Sequence, residues 1–199
     1  MWVVKIGGSL CADPLLPQWL DLLTQLGGGR VTVVCGGGTF ADEVRRVQAH
    51  WQFNDLAAHN MALLAMAQTA YQLHALNPAL QLAASKTDIP RVLRNGRAAL
   101  WLPLELQREA PDALSHWGAT SDTIALELAR TLNAERLVMV KSCAIDPRLT
   151  LAQLSEAGVI DQNFAALSEG VDFPIAVIHK ADLARMRALL LGDVRFLDA

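Results

Sequence analysis

The chain has 199 residues, 52% of them hydrophobic and 19% charged, with a formal net charge of −3. That length suits one α/β domain over residues 1–199, with a sizeable core, and is short for two. The mild acidity and the lack of a basic tract argue against nucleic-acid binding, and no apolar run reaches membrane-spanning length. The N-terminus reads as neither a leader nor an anchor, so a cytoplasmic location with no membrane partner is expected.

The first ten residues organise the rest. Trp2, Val3, Val4 and Ile6 form a short apolar run that reads as a buried parallel strand, broken by Gly7, Gly8 and Ser9. Gly7 and Gly8 let backbone N–H groups approach an anion, and Lys5 adds a fixed positive charge just upstream. The lysine precedes the glycines, so this is not a Walker A loop, and no G-x-G-x-x-G occurs anywhere.

A leucine-rich helical stripe follows from Pro14 to Leu26, closed by Gly27-Gly28-Gly29. Val31–Cys35 reads as a second buried strand and runs into Gly36-Gly37-Gly38, completing a right-handed βαβ unit with a second glycine turn at the same sheet edge. Helices are expected over Phe40–His50 and Asp55–Leu76, then a short strand over Leu80–Ala84. A polar helix or loop fits Lys86–Arg97, a strand Ala98–Leu104, and a loop Gln107–Leu114.

Ser121–Leu132 reads as a helix opened by a Ser121/Asp122 cap, its N-terminus offering N–H groups to an anion. Arg136–Lys141 is a further strand. Short helices are expected at Leu151–Ala157 and Asn163–Leu167, a strand at Pro174–Ile178, a helix at Ala181–Leu191 and a terminal strand at Val194–Leu197. Cys11, Cys35 and Cys143 are far apart and odd in number. They carry no metal-ligand spacing, and Cys35 and Cys143 read as buried free thiols.

Four strings occur in the order of one known group: Val4-Lys-Ile-Gly-Gly-Ser-Leu10, Val34-Cys-Gly-Gly-Gly38, Ser121-Asp-Thr-Ile-Ala125 and Leu137-Val-Met-Val-Lys141 leading to Asp146-Pro147. On these the chain resembles the amino acid kinase superfamily. The resemblance implies a three-layer αβα sandwich with a mainly parallel sheet, ATP with Mg²⁺, and a small-molecule phosphate acceptor along the carboxyl edge. It implies that Lys5 and Asp122 are catalytic: Lys5 neutralises the phosphoryl group in flight, and Asp122 orients the lysines or a metal-bound water network. It assigns Gly7, Gly8, Ser9, Lys141 and Asp146 to the nucleotide, and Gly36, Gly37, Gly38, His59 and Ser121 to the acceptor.

His59-Asn-Met-Ala62 and Trp117–Asp122 are similar to the branch that phosphorylates an (aminomethyl)furanmethyl phosphate in methanofuran biosynthesis. Alternatives are a UMP, isopentenyl phosphate or carboxylate kinase, or a non-catalytic nucleotide- or oligoanion-binding module. His59 has two readings, a packing or capping residue and a ligand of the acceptor phosphate. Ala144-Ile-Asp-Pro147 departs from the family's Asp-Gly-Ile-Tyr, which implies a compressed nucleotide region beyond about Asp146. Family members commonly dimerise through long flanking helices. Asp55–Leu76, with Met61, Leu64, Met66 and Tyr71, could serve a homodimer or higher homo-oligomer, and packing into a monomer core explains the same stripe.

Overall fold

A computed structural model describes residues 1–112 and 115–193. Strand β1 (Trp2–Ile6) is buried along its whole length, as an apolar run at the centre of a parallel sheet must be. A 3₁₀ turn (Gly8–Ala12) leads to α1 (Leu16–Gly27), β2 (Val31–Cys35), α2 (Gly38–Trp51) and α3 (Asp55–Leu76). Then come β3 (Leu80–Ala83), α4 (Asp88–Arg94), β4 (Ala98–Trp101), α5 (Ser121–Thr131) and β5 (Arg136–Lys141). The described chain closes with α6 (Leu151–Glu156), α7 (Phe164–Leu167), β6 (Ile175–His179) and α8 (Leu183–Leu190).

The sheet order is β3-β4-β2-β1-β5-β6, and every pairing is parallel. From β1 the chain first builds outward through β2, then returns to add β5 on the other side. The crevice beyond the carboxyl ends of β1, β2 and β5 is therefore a topological switch point, where open α/β sheets bind ligands.

Strand periodicity decides what each face carries. Val4 and Ile6, with Val138 and Val140 of β5, enter a core packed by Trp19, Leu20 and Leu23 of α1 and Met186 and Leu189 of α8. Val3, Leu137 and Met139 face the opposite core, filled by Ala125, Leu126 and Ala129 of α5 with Phe164. By the same alternation Lys5 and Lys141 project to the α5 side. Two cores on one sheet give the three-layer αβα sandwich the sequence implied. Helix α3 supplies Ala70 and Leu73 to the first core and Leu63 and Met66 to the second, which explains why it is apolar nearly all round.

Three expectations need correction. The strand expected over Ala98–Leu104 stops at Trp101, and Pro103–Leu106 forms a 3₁₀ turn, because Pro103 has no N–H to continue a ladder. Cys143 is exposed, since it lies beyond the end of β5; Cys35 is buried and donates its thiol to the Met66 carbonyl at 3.3 Å. Met66 is buried, so of the α3 stripe only Met61, Leu64 and Tyr71 are exposed. The strand expected at Val194–Leu197 and the last two residues of the Gln107–Leu114 loop lie outside the described residues.

Candidate functional site

At the switch point a carboxylate sits between two ammonium groups. Lys5 Nζ lies 2.7 Å from Asp122 Oδ1, and Lys141 Nζ donates to Asp122 Oδ2 at 2.5 Å. All three are buried, at 3%, 2% and 9% exposure, so the charges act on one another with little screening by water. Burial works against the charge on Lys5, but Asp122, with Asp161 beyond it, outweighs that and holds Lys5 above the ordinary lysine value. Burial likewise opposes the Asp122 charge, yet the two lysines keep it below the usual carboxylate range. Lys141 is pulled below its ordinary value by burial and by the Lys5 charge. Lys5 and Asp122 are therefore firmly ionised, and of the two lysines Lys141 holds its proton less tightly.

The helix that presents Asp122 is not capped as expected. Its N-cap is Thr120, whose side chain makes no capping bond. Asp161 caps it from 41 residues downstream: Oδ2 accepts from Thr120 N (2.6 Å), Thr123 N (3.0 Å) and Thr123 Oγ1 (2.8 Å), and Oδ1 from Thr120 Oγ1 (2.6 Å). The Asp161 N–H donates to Asp122 Oδ2 at 3.2 Å. Two of the N–H groups expected to greet an external anion are thus already taken by a carboxylate of the chain itself. A lone aspartate in an irregular stretch gave no sequence signal for this.

Around the triad the two glycine turns touch backbone to backbone. A Cβ on Gly8 would fall 2.6 Å from Gly38 N, and one on Gly36 would fall 2.6 Å from Gly8 N, so neither position admits a side chain. Gly38 opens α2 with φ +52°, a conformation that glycine adopts without strain. Gly7 N donates to Val140 O, Gly36 N to Ile6 O, and the Ser9 and Ser142 hydroxyls bond at 2.6 Å, tying the turns to the ends of β1 and β5. The first N–H groups of α2 have no partner within the helix.

A cavity of about 360 Å³ adjoins this edge. Gly8, Ser9, Gly37, Gly38 and Ser121 line one part of it, and His59, Ala62, Leu63 and Met66 of α3 another. Arg45 and Trp117 also line it, the guanidinium carbon standing 4.4 Å from the indole centroid. Sequence reasoning passed over Arg45, which is one of many arginines until α2 turns it to this wall. His59 Nε2 faces Arg108 Nη1 at 2.6 Å, and burial together with the Arg108 charge lowers its pKa. His59 is accordingly a neutral acceptor anchoring the segment around Arg108, rather than a cation.

Asp146 is not gathered with the others. Its carboxylate holds the Arg148 side chain at 2.8 Å and 3.0 Å, although its neighbours Ile145 and Pro147 line a second cavity of about 630 Å³ with Val177, His179 and Ala184. Lys180 is tied to Asp13. Among the described residues no group of three or more His, Cys, Asp or Glu side chains is placed to hold a metal ion.

A buried lysine–aspartate–lysine bridge beneath two glycine turns is the equipment of a protein that handles phosphate groups at a sheet edge. The amino acid kinase family model matches residues 1–144, and the chain belongs to that family. It is 26% identical over 141 residues to the [5-(aminomethyl)furan-3-yl]methyl phosphate kinase of Methanocaldococcus jannaschii, a match covering 70% of this chain and 64% of that enzyme. The fold is shared with the uridylate kinase of Archaeoglobus fulgidus (TM-score 0.68, 17% identity, 96% of each chain). It is shared too with an isopentenyl phosphate kinase substrate complex (TM-score 0.62, 13% identity, 99% of this chain and 98% of that one).

Proposed function

We propose that the protein is an ATP-dependent phosphotransferase that converts a small phosphomonoester to its diphosphate, the acceptor being [5-(aminomethyl)furan-3-yl]methyl phosphate or a close analogue. The observation that carries this is the Lys5–Asp122–Lys141 bridge set beside a cavity of acceptor size. In the reaction an acceptor phosphate oxygen bonds to the γ-phosphorus as the bond to the β,γ-bridging oxygen breaks, leaving ADP and the diphosphate ester. Such transfer needs positioning and charge neutralisation more than covalent help.

Lys5, firmly charged, faces the phosphoryl group in flight, and Lys141 with Gly7, Gly8 and Ser9 holds the nucleotide phosphates. Asp122 fixes both ammonium groups before substrate arrives, so little reorganisation is needed at the transition state. Gly36–Gly38 and Ser121 cradle the acceptor phosphate. His59 acts through the Arg108 segment that it anchors. The second cavity, beside Asp146, takes the base end of the nucleotide. ATP would supply the transferable phosphoryl group, and Mg²⁺ entering with it would neutralise phosphate charge.

We further take residues 1–199 as one cytoplasmic domain. A homodimer through the exposed Met61, Leu64 and Tyr71 of α3 fits the apolar character of that face. Among the described residues no helix is long and apolar enough to cross a membrane.

The test is ADP release with ATP and Mg²⁺ over a panel of the furan phosphate, isopentenyl phosphate and UMP. Expected is release with the furan phosphate, reduced about 10²–10³-fold in Lys5→Met. Release only with another acceptor would overturn the substrate, and ATP binding without any turnover would turn the reading to a binding module.

A further inference from the structure

The cavity has two ends of opposite character. One lies where α2 begins, at Gly37 and Gly38 beside Ser121. Seven residues further along α2, about 10 Å at the helical rise, Arg45 lines the other end. Helix α3 runs the other way past it: Met66 touches Cys35 at the sheet, while Asp55, eleven residues and about 16 Å earlier, stands at the far end.

The fixed charges on the cavity wall are Asp42, one turn into α2, and Arg45 and Asp55 at the far end. Arg45 pairs with Asp42 at 2.8 Å and lies over Trp117. Asp55 has no cationic partner among the described residues; its Oδ1 takes only the neutral Gln48 amide, at 2.8 Å. The same Gln48 accepts from the Trp117 indole N–H at 2.6 Å. One side chain thus fixes a flat aromatic wall and a carboxylate in a single arrangement, with a net negative balance opposite the phosphate end.

We propose that Asp55, held by Gln48 beside Trp117, reads a cationic amine at the end of the acceptor remote from its phosphate, so that this cavity selects a zwitterionic phosphomonoester with a flat ring between its charged arms. This rests on the acceptor assignment above and gives the cavity a specificity that uridine and isoprenoid phosphates, which have no cation, do not meet. Asp55 also lies in the first turn of α3, where an acid favours the helix in any case. The discriminating readout is therefore ligand preference rather than stability.

The experiment is calorimetric titration of the full chain with two probes, [5-(aminomethyl)furan-3-yl]methyl phosphate and the analogue bearing hydroxymethyl in place of aminomethyl. The amine probe is expected to bind about fivefold tighter, the size of a well-placed but partly exposed ion pair, and this margin is expected to shrink as salt is raised. Asp55→Asn should bring the ratio to about one by weakening the amine probe alone, Asp55→Glu should restore it, and Gln48→Leu should reduce it. Equal binding in the unaltered protein, no binding of either probe, or a preference surviving in Asp55→Asn would overturn the proposal. The salt dependence tests it without any variant. Turnover is scored separately: preference without ADP release would sink the kinase reading and keep this one, and ADP release without preference would do the reverse.

Discussion

The centre and the flank of the sheet edge are built on different terms. At the centre, β1 and β5 are buried throughout, and their lysines meet one carboxylate in near-complete exclusion of water. On the flank, β6 alternates buried and half-buried residues, and the loop after β5 exposes Cys143 and an Asp146–Arg148 pair. In the centre, geometry is set by backbone packing, glycine against glycine, so changing one group disturbs all of them. On the flank, side chains face solvent, and each is expected to act nearly alone.

Asp122→Ala should break the central arrangement most severely. It leaves two ammonium groups buried without their carboxylate, a loss of about 3–5 kcal/mol, which for this length is a Tm drop of roughly 6–20 °C by calorimetry. A Tm unchanged within error would mean that the lysines reach water more freely than their burial indicates.

Asp161→Asn keeps the shape of the cap but removes its charge from the N-terminus of α5. A cost of about 1–2 kcal/mol is expected, with kcat falling more than the KM for ATP rises, because Asp122 loses its fixed position. A KM effect alone would make Asp161 a fold residue only.

Between these extremes stands His59, whose folded pKa lies below the unfolded value of 6.5. Its stability contribution is complete above pH 6.5 and is lost as pH falls through the lower folded value. A Tm profile from pH 7.5 to 5 should therefore fall less steeply in His59→Gln than in the unaltered protein. The smallest effect is assigned to the flank. Asp146→Ala should leave Tm within about a degree, as surface ion pairs do, while raising the KM for ATP severalfold. A large Tm loss there would erase the contrast between the two regions.

The centre is also where the sequence was legible. Apolar β-branched runs ended by glycines mark β1 and β2, while the register of β1 against β5, which places Lys5 and Lys141 on one face, is visible only in the sheet. Asp122 could be read because it lies within a recognisable string, Ser121-Asp-Thr-Ile-Ala125, at a helix start. Asp161 could not, since its partners lie 38 to 41 residues away and no local pattern marks a cap supplied from a distance. Arg45, Gln48 and Asp55 were hidden for a related reason. Polar and charged residues spaced along helices look like solvated faces until two helices cross and turn them to one wall. The limits of the strand at Trp101 and of the α3 stripe at Met66 were set by tertiary packing and by Pro103, beyond what periodicity encodes.

The cap on α5 also imposes an order of assembly. As the nascent chain emerges, α5 and β1 are available long before the carboxylate that completes them. At roughly 5–20 residues per second, the 41 residues separating Thr120 from Asp161 amount to a wait of about 2–8 s. During that interval the N-terminus of α5 lacks its capping carboxylate, and Asp122 lacks the N–H that steadies it. The site is finished from its downstream side, so a ribosome stalled between the two positions would hold at most five of the six strands around an unfinished centre.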